Sequence, residues 1–232
     1  MKQKKPRELV DRPAAIKIIV GGVAVLLLGA FLGRVVWNER QLTAGIPIGP
    51  DFFDDVHTDP VSDEDIENHC LAAADNEVCR LSLPAIDAPN MKLVTLGTSA
   101  RGGNTHIAAP KGIYEAGWFS GSARPGESGI TFINAHSSLN NPATFNRLHE
   151  LRPGDEITIE RGDGQTFVYR VSESLRLSLD DANHWVKNNL GTSDSRRRQG
   201  GENLLYLMTC IGSWNLNLNT MNERILVRAD LL

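Results

Sequence analysis

The stretch "ITIERGDGQTFVYRV" constrains the fold more than any other part of the chain. Ile157 and Ile159 alternate with polar residues, "GDG" supplies a turn, and Phe167, Tyr169 and Val171 alternate in the returning segment. A period of two places apolar side chains on one face of a strand, and two such strands joined by a short glycine-rich turn form a β-hairpin. The pattern therefore predicts antiparallel β-structure with one buried face.

Similar short apolar runs recur from about Val78 onward, separated by Gly, Pro and Asn. The other strand candidates are "VCRLSLP", "MKLVTLG", "THIAAP", "GITFINA", "NLLYLMTC" and "RILVRADLL". Helical patterns in this region are short and are confined to "ATFNRLHEL" and "LDDANHWVKNNLG". Many short strands with such punctuation predict a mainly β domain over residues 78–232, a closed or nearly closed β-barrel with a few short helices.

A long apolar segment precedes this domain. Residues 18–37 read "IIVGGVAVLLLGAFLGRVVW", with Arg34 near the end, and residues 1–17 before them are basic. About 20 apolar residues span a bilayer, and an excess of Lys and Arg marks the cytoplasmic side. The segment predicts a single-pass signal-anchor helix at the cell membrane, with a cytoplasmic head and an extracellular domain. A cleaved signal peptide and a buried soluble helix are the alternatives, although no convincing A-x-A cleavage site precedes the polar stretch.

Residues 38–77 are acidic and rich in turn-forming residues. No Lys or Arg lies between Arg40 and Arg80, and "GIPIGPDFFDDVHTDP" shows no helical or strand period. This composition predicts an extracellular linker or stalk, with a short helix in "SDEDIENHCLAAAD" for which Ser62 is the N-cap. The net charge of -4 gives the whole chain no signature of nucleic-acid binding.

The three cysteines allow two arrangements. In an exported domain Cys70 and Cys79 can form a disulfide, which leaves Cys210 single. Three unpaired thiols are the alternative, because sequence spacing does not fix the distance between two Cα atoms. Cys210 follows the predicted buried strand Leu204–Met208, with Thr209 between. It is therefore either an inert core residue or a nucleophile on a rigid element.

A nucleophilic thiol needs a base or cation nearby and a donor for the developing oxyanion. His136 ends the apolar strand "GITFINA" and begins the loop "SSLNNPATF", the kind of position where catalytic residues are often placed. Arg224 begins the last apolar strand, and one loop joins that strand to the strand that ends at Cys210. A structural histidine and a strand-edge charge are the alternative interpretations. Arg228 has the same strand parity as Arg224.

These residues and their flanks resemble the sortases, membrane-anchored cysteine transpeptidases of bacterial surfaces, over roughly residues 78–232. "YLMTC" is similar to the family's T-L-x-T-C run, with Tyr206 in place of the first Thr, and "RILVRA" fits its R-x-[VIL]-[VF]-x-A run. "INAHSS" carries the histidine, with Ala135 in place of the usual Gly. The stretches "GIYEAGWFSGSARPGESGITFINAH" and "FNRLHELRPGDEITIERGDGQTFVYRV" look like the class F or class E group.

The resemblance implies a sortase-type closed β-barrel in which Cys210, His136 and Arg224 are catalytic. Cys210 would attack the threonine carbonyl of an LPxTG-like sorting signal in a surface protein, form a thioester, and pass the protein to an amine acceptor. That acceptor would be a cell-wall peptide or a pilin lysine. His136 would serve as general acid and base, and Arg224 would donate to the oxyanion or the peptide backbone. Thr209 would contact the substrate or the oxyanion, with a strand-end hydrogen bond as its alternative role. No metal or other cofactor is expected.

Two other functions stay open at this point. A hydrolase on the same scaffold would pass the acyl group to water, and a catalytically inactive barrel would serve surface interactions alone. A cysteine L,D-transpeptidase is disfavoured because the sequence contains no S-H-G-C-like run.

Overall fold

The computed structural model describes residues 57–101, 104–138, 143–190, 201–218 and 220–232. The predicted cytoplasmic head (1–17) and signal-anchor helix (18–37) lie outside the described residues, as does the predicted linker up to residue 56. Within the described ranges, no helix is both long enough and apolar enough to cross a bilayer.

The described chain folds mainly into β-strands. In chain order the strands are β1 (Val78–Leu83), β2 (Ala88–Leu96), β3 (Thr98–Arg101), β4 (Asn104–Ile107), β5 (Glu115–Phe119), β6 (Gly129–Ala135), β7 (Glu156–Arg161), β8 (Thr166–Ser178), β9 (Asn203–Asn215) and β10 (Thr220–Leu231). The helices are α1 (Asp63–Ala72) and α2 (Leu179–Leu190), with single 3₁₀ turns at Pro84–Ile86 and Leu148–Glu150. The segment "ATFNRLHEL", predicted as helical, is a series of turns that ends in the second of these 3₁₀ turns.

Eight of the strands close into a barrel in the order β1-β2-β5-β6-β9-β10-β8-β7. Neighbours are antiparallel except for the pairs β2–β5 and β6–β9, which are parallel. Strands β3 and β4 form a separate two-stranded sheet. The prediction of a mainly β fold with a closed barrel and a few short helices is therefore confirmed. Because β6 and β9 run in the same direction, the carboxyl end of β6 lies beside Met208 of β9, and β9 continues from there alongside the first half of β10.

Alternating side chains of β9 serve two different clusters. Leu205 and Leu207 point into the barrel, where they join apolar residues from all eight strands. Leu204, Tyr206 and Met208 belong to a second cluster outside the barrel. Four residues of α2 cover this outer cluster with helical spacing: Ala182, Trp185, Val186 and Leu190. The outer face of β6, β9 and β10 is thus a surface covered at one end by α2.

Helix α1 packs on the barrel wall. As predicted, Ser62 caps it, and the cap is a capping box with Asp65. Ile66 is buried against the barrel at 2% exposure. A disulfide joins Cys70 to Cys79 of β1, with the two Cα atoms 4.9 Å apart.

His69 likewise has a barrel partner, the Leu93 carbonyl, 2.9 Å from its Nε2. The helix of the predicted stalk therefore lies against the barrel, because its buried isoleucine, the disulfide and this histidine all attach it there.

Candidate active site

Cys210 lies in the second half of β9, on the outer face of the barrel. It has the strand parity of Met208 and Tyr206, which belong to the outer cluster, and the opposite parity to the inward-facing Leu207. Its thiol is free and its side chain is partly exposed. A partly exposed thiol on a strand with many pairing contacts is held in place and still accessible to a substrate.

Parallel pairing brings His136 to the same end of the barrel. Asn134 of β6 pairs with Met208 of β9, and His136 and Cys210 each lie two residues further along their own chains. His136 has the parity of the outward-facing Phe132, so both side chains belong to the outer face. The imidazole Nε2 lies 2.8 Å from the Pro110 carbonyl oxygen, which fixes the ring orientation.

Antiparallel pairing brings Arg224 to the other side of the thiol. Arg224 of β10 is the direct cross-strand partner of Cys210. Directly paired residues project from the same face, with their Cβ atoms about 4.5–5.5 Å apart. Since β9 lies between β6 and β10, Cys210 stands between the positions of His136 and Arg224.

The guanidinium of Arg224 is held by neutral acceptors only. Nη1 donates to the carbonyls of Met221 and Glu223, each at 2.8 Å, and Nη2 donates to Oγ1 of Thr220 at 2.9 Å. Within the described part of the chain, no carboxylate pairs with Arg224 and its Nε–H has no acceptor. No carboxylate among the described residues therefore offsets the charge of Arg224, and its Nε–H is a donor that a developing oxyanion could use.

The carboxylate nearest to Arg224 in sequence is occupied elsewhere. Glu223 accepts two hydrogen bonds from Arg176, at 3.0 Å from Nε and 2.5 Å from Nη2. These hydrogen bonds hold the pKa of Glu223 below its ordinary value. Glu223 is thus ionised at neutral pH and its charge is taken up by Arg176, which leaves Arg224 unneutralised.

Thr209 is buried at 4% exposure, and its hydroxyl donates to the Ala135 carbonyl at 2.9 Å. This contact joins the end of β6 to β9 one residue before each candidate catalytic side chain. This hydrogen bond corresponds to one of the two roles predicted for Thr209, a hydrogen bond at the end of a strand. A direct contact between Thr209 and a substrate stays a prediction.

Ser137 is a further residue at this site, and sequence reasoning did not select it. Its hydroxyl donates to the backbone carbonyl of Cys210 and lies 3.8 Å from the Met221 sulfur. The sequence signal was its position directly after His136. Its importance is visible only in the structure, because its hydrogen bond crosses from the end of β6 to a strand far along the chain.

An aromatic surface lies beyond the thiol, beneath α2. The rings of Trp185 and Tyr206 have centroids 4.6 Å apart, and Phe132 lies 6.0 Å from Trp185. Burial raises the pKa of Tyr206, so its hydroxyl is neutral at physiological pH. Tyr206 is four residues before Cys210, about 13 Å along the strand. Met208 lies between them on the same face and is buried at 8% exposure, whereas Tyr206 and Trp185 are partly exposed.

Arg228, the second arginine on this face, is held by acidic neighbours. It pairs across the strands with Tyr206, and its Nη2 lies 3.1 Å from Asp230 and 3.9 Å from Glu202. It is also four residues, or about 13 Å, from Arg224 along β10. Arg228 is therefore too distant and too well paired to serve the thiol.

One group of possible metal ligands exists among the described residues, and it lies away from Cys210. It consists of Cys70, Cys79 and Glu160. The two sulfurs are bonded to each other, so neither is available as a thiolate ligand.

Comparison with known proteins adds a family assignment to this geometry. A family model described as a sortase domain matches residues 81–232. Solved structures with similar folds include sortase A from Corynebacterium diphtheriae, which is 22% identical, with 86% of this chain and 83% of that chain covered and a TM-score of 0.48. Sortase C of Streptococcus pneumoniae is 19% identical, with 78% and 76% covered and a TM-score of 0.46.

Sortase C1 of GBS pilus island 1 is 21% identical over 66% of this chain, with a TM-score of 0.44, and the match spans 64% of that protein's own chain. No curated protein matches this chain.

Proposed function

Because the chain belongs to the sortase family and is accordingly a cysteine transpeptidase, we propose that Cys210, His136 and Arg224 carry out its acyl transfer. The observation that supports this assignment is the strand order β6-β9-β10, which puts the three side chains at one end of one barrel face. The substrate proposed is a surface protein with an LPxTG-like C-terminal sorting signal. The products are a surface protein joined to an amine acceptor and the released C-terminal peptide.

The first half-reaction is acylation of Cys210. The thiol proton passes to His136, the sulfur attacks the threonine carbonyl carbon, and the carbonyl electron pair moves onto the oxygen. Arg224 stabilises this oxyanion through its charge and its Nε–H, which has no acceptor among the described residues. The intermediate then collapses, the C–N bond to glycine breaks, and His136 gives a proton to the departing amine. The result is a thioester between Cys210 and the substrate threonine.

The second half-reaction reverses these roles. An amine from a cell-wall peptide or a pilin lysine attacks the thioester carbon, and His136 accepts the proton that this amine loses. Arg224 again stabilises the oxyanion. Cys210 leaves as thiolate, and the new amide bond joins the surface protein to its acceptor.

The sorting signal is proposed to lie along the outer face of β9 between Tyr206 and Cys210, a path that we call the substrate track. An extended peptide rises about 3.3 Å per residue, so about four residues fit between these two positions. Apolar side chains of the signal would contact the partly exposed rings of Tyr206 and Trp185, while the scissile bond reaches the thiol. The predicted signal-anchor helix (18–37) would hold the enzyme at the cell membrane with this face outside the cell. The class F or class E subgroup is part of the same proposal.

A product analysis with the full-length protein in detergent tests the function. A peptide carrying an LPxTG sequence is incubated with and without an added amine, and the products are identified by mass spectrometry. We expect cleavage between Thr and Gly, and an amide of the added amine on the threonine. Hydrolysed product alone, at every amine concentration, would instead support a sorting-signal peptidase. No cleavage of any peptide in a library would support an inactive interaction barrel. Cys210→Ala is the negative control.

A further inference from the structure

Two hydroxyl groups connect β6 and β9 at the point where the strand ladder between them stops. The last registered pair is Asn134 with Met208. Beyond it, Oγ1 of Thr209 donates to the Ala135 carbonyl, and Oγ of Ser137 donates to the Cys210 carbonyl. The two bonds run in opposite directions, one from each strand. They enclose the positions of His136 and Cys210.

We propose that Ser137 and Thr209 are positioning residues that together form a clasp, which sets the distance between the His136 ring and the Cys210 sulfur. This inference rests on the proposed function, since it assigns those two side chains to the reaction. Neither hydroxyl needs to touch the substrate. Both act on backbone atoms, one on the residue before His136 and the other on Cys210 itself.

The clasp is needed because no backbone ladder fixes the chain after Ala135. Strand β6 ends there, whereas β9 continues past Cys210 to Asn215. The remaining anchors of His136 lead to other loops: its carbonyl accepts from the Phe145 N–H at 3.1 Å, and its ring contacts the Pro110 carbonyl. The two hydroxyls link this segment directly to β9 beyond the last registered pair.

The expected effect follows from the sensitivity of catalysis to position. A displacement of about 1 Å in a catalytic group can cost about 10²-fold in rate. Ser137→Ala should therefore lower kcat by about 10–100-fold and leave KM within about threefold, because the substrate track is untouched. Ser137→Thr keeps the hydroxyl, so its kcat should stay within about threefold of the wild type. Thr209→Val should behave like Ser137→Ala, and Thr209→Ser should behave like Ser137→Thr.

The matched control is Ser172→Ala. Oγ of Ser172 also reaches a carbonyl of a neighbouring strand, that of Arg228, at 3.5 Å. It does so on β8, away from the ends of β6 and β9. Its removal should leave kcat and KM unchanged. Melting temperatures of all variants show whether the fold is retained at the assay temperature.

Combining the two changes tests the clasp as a unit. If one of the two bonds cannot hold the segment without the other, the loss of either already removes the clasp. The fold-loss of kcat in the double variant Ser137→Ala with Thr209→Val should then be much smaller than the product of the two single fold-losses. Strict multiplication of the two losses would mean independent roles and would overturn the clasp. A raised KM with unchanged kcat would mean substrate contact, and would overturn it as well. A kcat of Ser137→Thr as low as that of Ser137→Ala, at an unchanged melting temperature, would also contradict the clasp.

A second measurement separates the clasp from the proposed function. Alkylation of Cys210 by iodoacetamide needs no substrate, and its rate depends on the base or cation near the thiol. Ser137→Ala should slow this alkylation at least threefold, and Ser137→Thr should not. An unchanged alkylation rate in a folded Ser137→Ala protein would refute the clasp. If the wild type transfers no peptide while the alkylation rates follow this pattern, the proposed function fails and the clasp stands.

Discussion

Loss of the Cys70–Cys79 disulfide should destabilise the barrel without affecting the chemistry. The two cysteines are nine residues apart in sequence. In the chain-entropy relation a loop of about 10 residues corresponds to about 2.7 kcal/mol at 25 °C. Other contacts of α1 with the barrel are the buried Ile66, the bond of His69 to the Leu93 carbonyl, and the bond of Asp63 to Asn90. The ion pair of Glu67 with Arg80 has a largely exposed carboxylate, and such pairs contribute at most about 1 kcal/mol.

The corresponding change in melting temperature is measurable. For a domain of this size, 1 kcal/mol shifts the melting temperature by about 2–4 °C. Reduction of the wild type should therefore lower it by roughly 5–10 °C in differential scanning calorimetry. The variant with Cys70→Ala and Cys79→Ala should melt low with or without reductant. Because this variant has no disulfide but keeps Cys210, a melting temperature that does not change with reductant shows that the wild-type shift comes from the disulfide and not from Cys210.

The barrel order predicts that activity survives this change. Cys79 lies on β1, and β1 is four strands from β9 in either direction around the barrel. Below the lowered melting temperature, the double alanine variant should transfer peptide at the wild-type rate. Equal melting temperatures of the oxidised and reduced wild type would refute the stability argument. A large loss of activity in the folded variant would refute the separation of bridge and site.

Three further predictions concern the site and the anchor. Arg224→Ala should lower kcat/KM for the sorting peptide by about 10²–10³-fold, comparable to the loss of an oxyanion donor. Arg224→Lys should recover only part of this activity, because Lys lacks the planar donor fork. Full recovery of kcat/KM with Lys would contradict the role of that fork. Arg228→Ala should keep most activity in the same kinetic assay, and an equal loss in a folded protein would show that the wrong arginine has been assigned. An N-terminal tag should be protected from external protease in intact cells, and the protein should need detergent for release; digestion of the tag would exclude a cytoplasmic N-terminus.

The fold could be predicted from sequence where the pattern is local. The β7–β8 hairpin follows from period-two alternation around "GDG", and β6 coincides with "GITFINA" from end to end. Strand β5 was missed because "EAGWF" is buried almost throughout and too short to show a period. Its parallel pairing with β2 is a contact between distant segments, which no local pattern specifies.

The same distinction applies to the site. Cys210 and Arg224 could be placed together because one loop joins their strands. The placement of His136 depends on the parallel register of β6 and β9, for which the sequence offered only the resemblance to a family. The bond from Ser137 to the Cys210 carbonyl depends on that register as well, so it could not have been anticipated.

The most direct test of the central claim is the acyl-enzyme itself. The full-length protein is mixed with an LPxTG-containing peptide in the absence of amine, quenched in acid, and analysed as an intact protein and as a digest by mass spectrometry. We predict a mass increase equal to that of the cleaved fragment ending in threonine less the mass of water, as a thioester requires. The adduct should be located on Cys210, removed by hydroxylamine, and missing from Cys210→Ala. Peptide cleavage that persists in folded Cys210→Ala, or an adduct on any other residue, would contradict the assignment of Cys210 as the nucleophile.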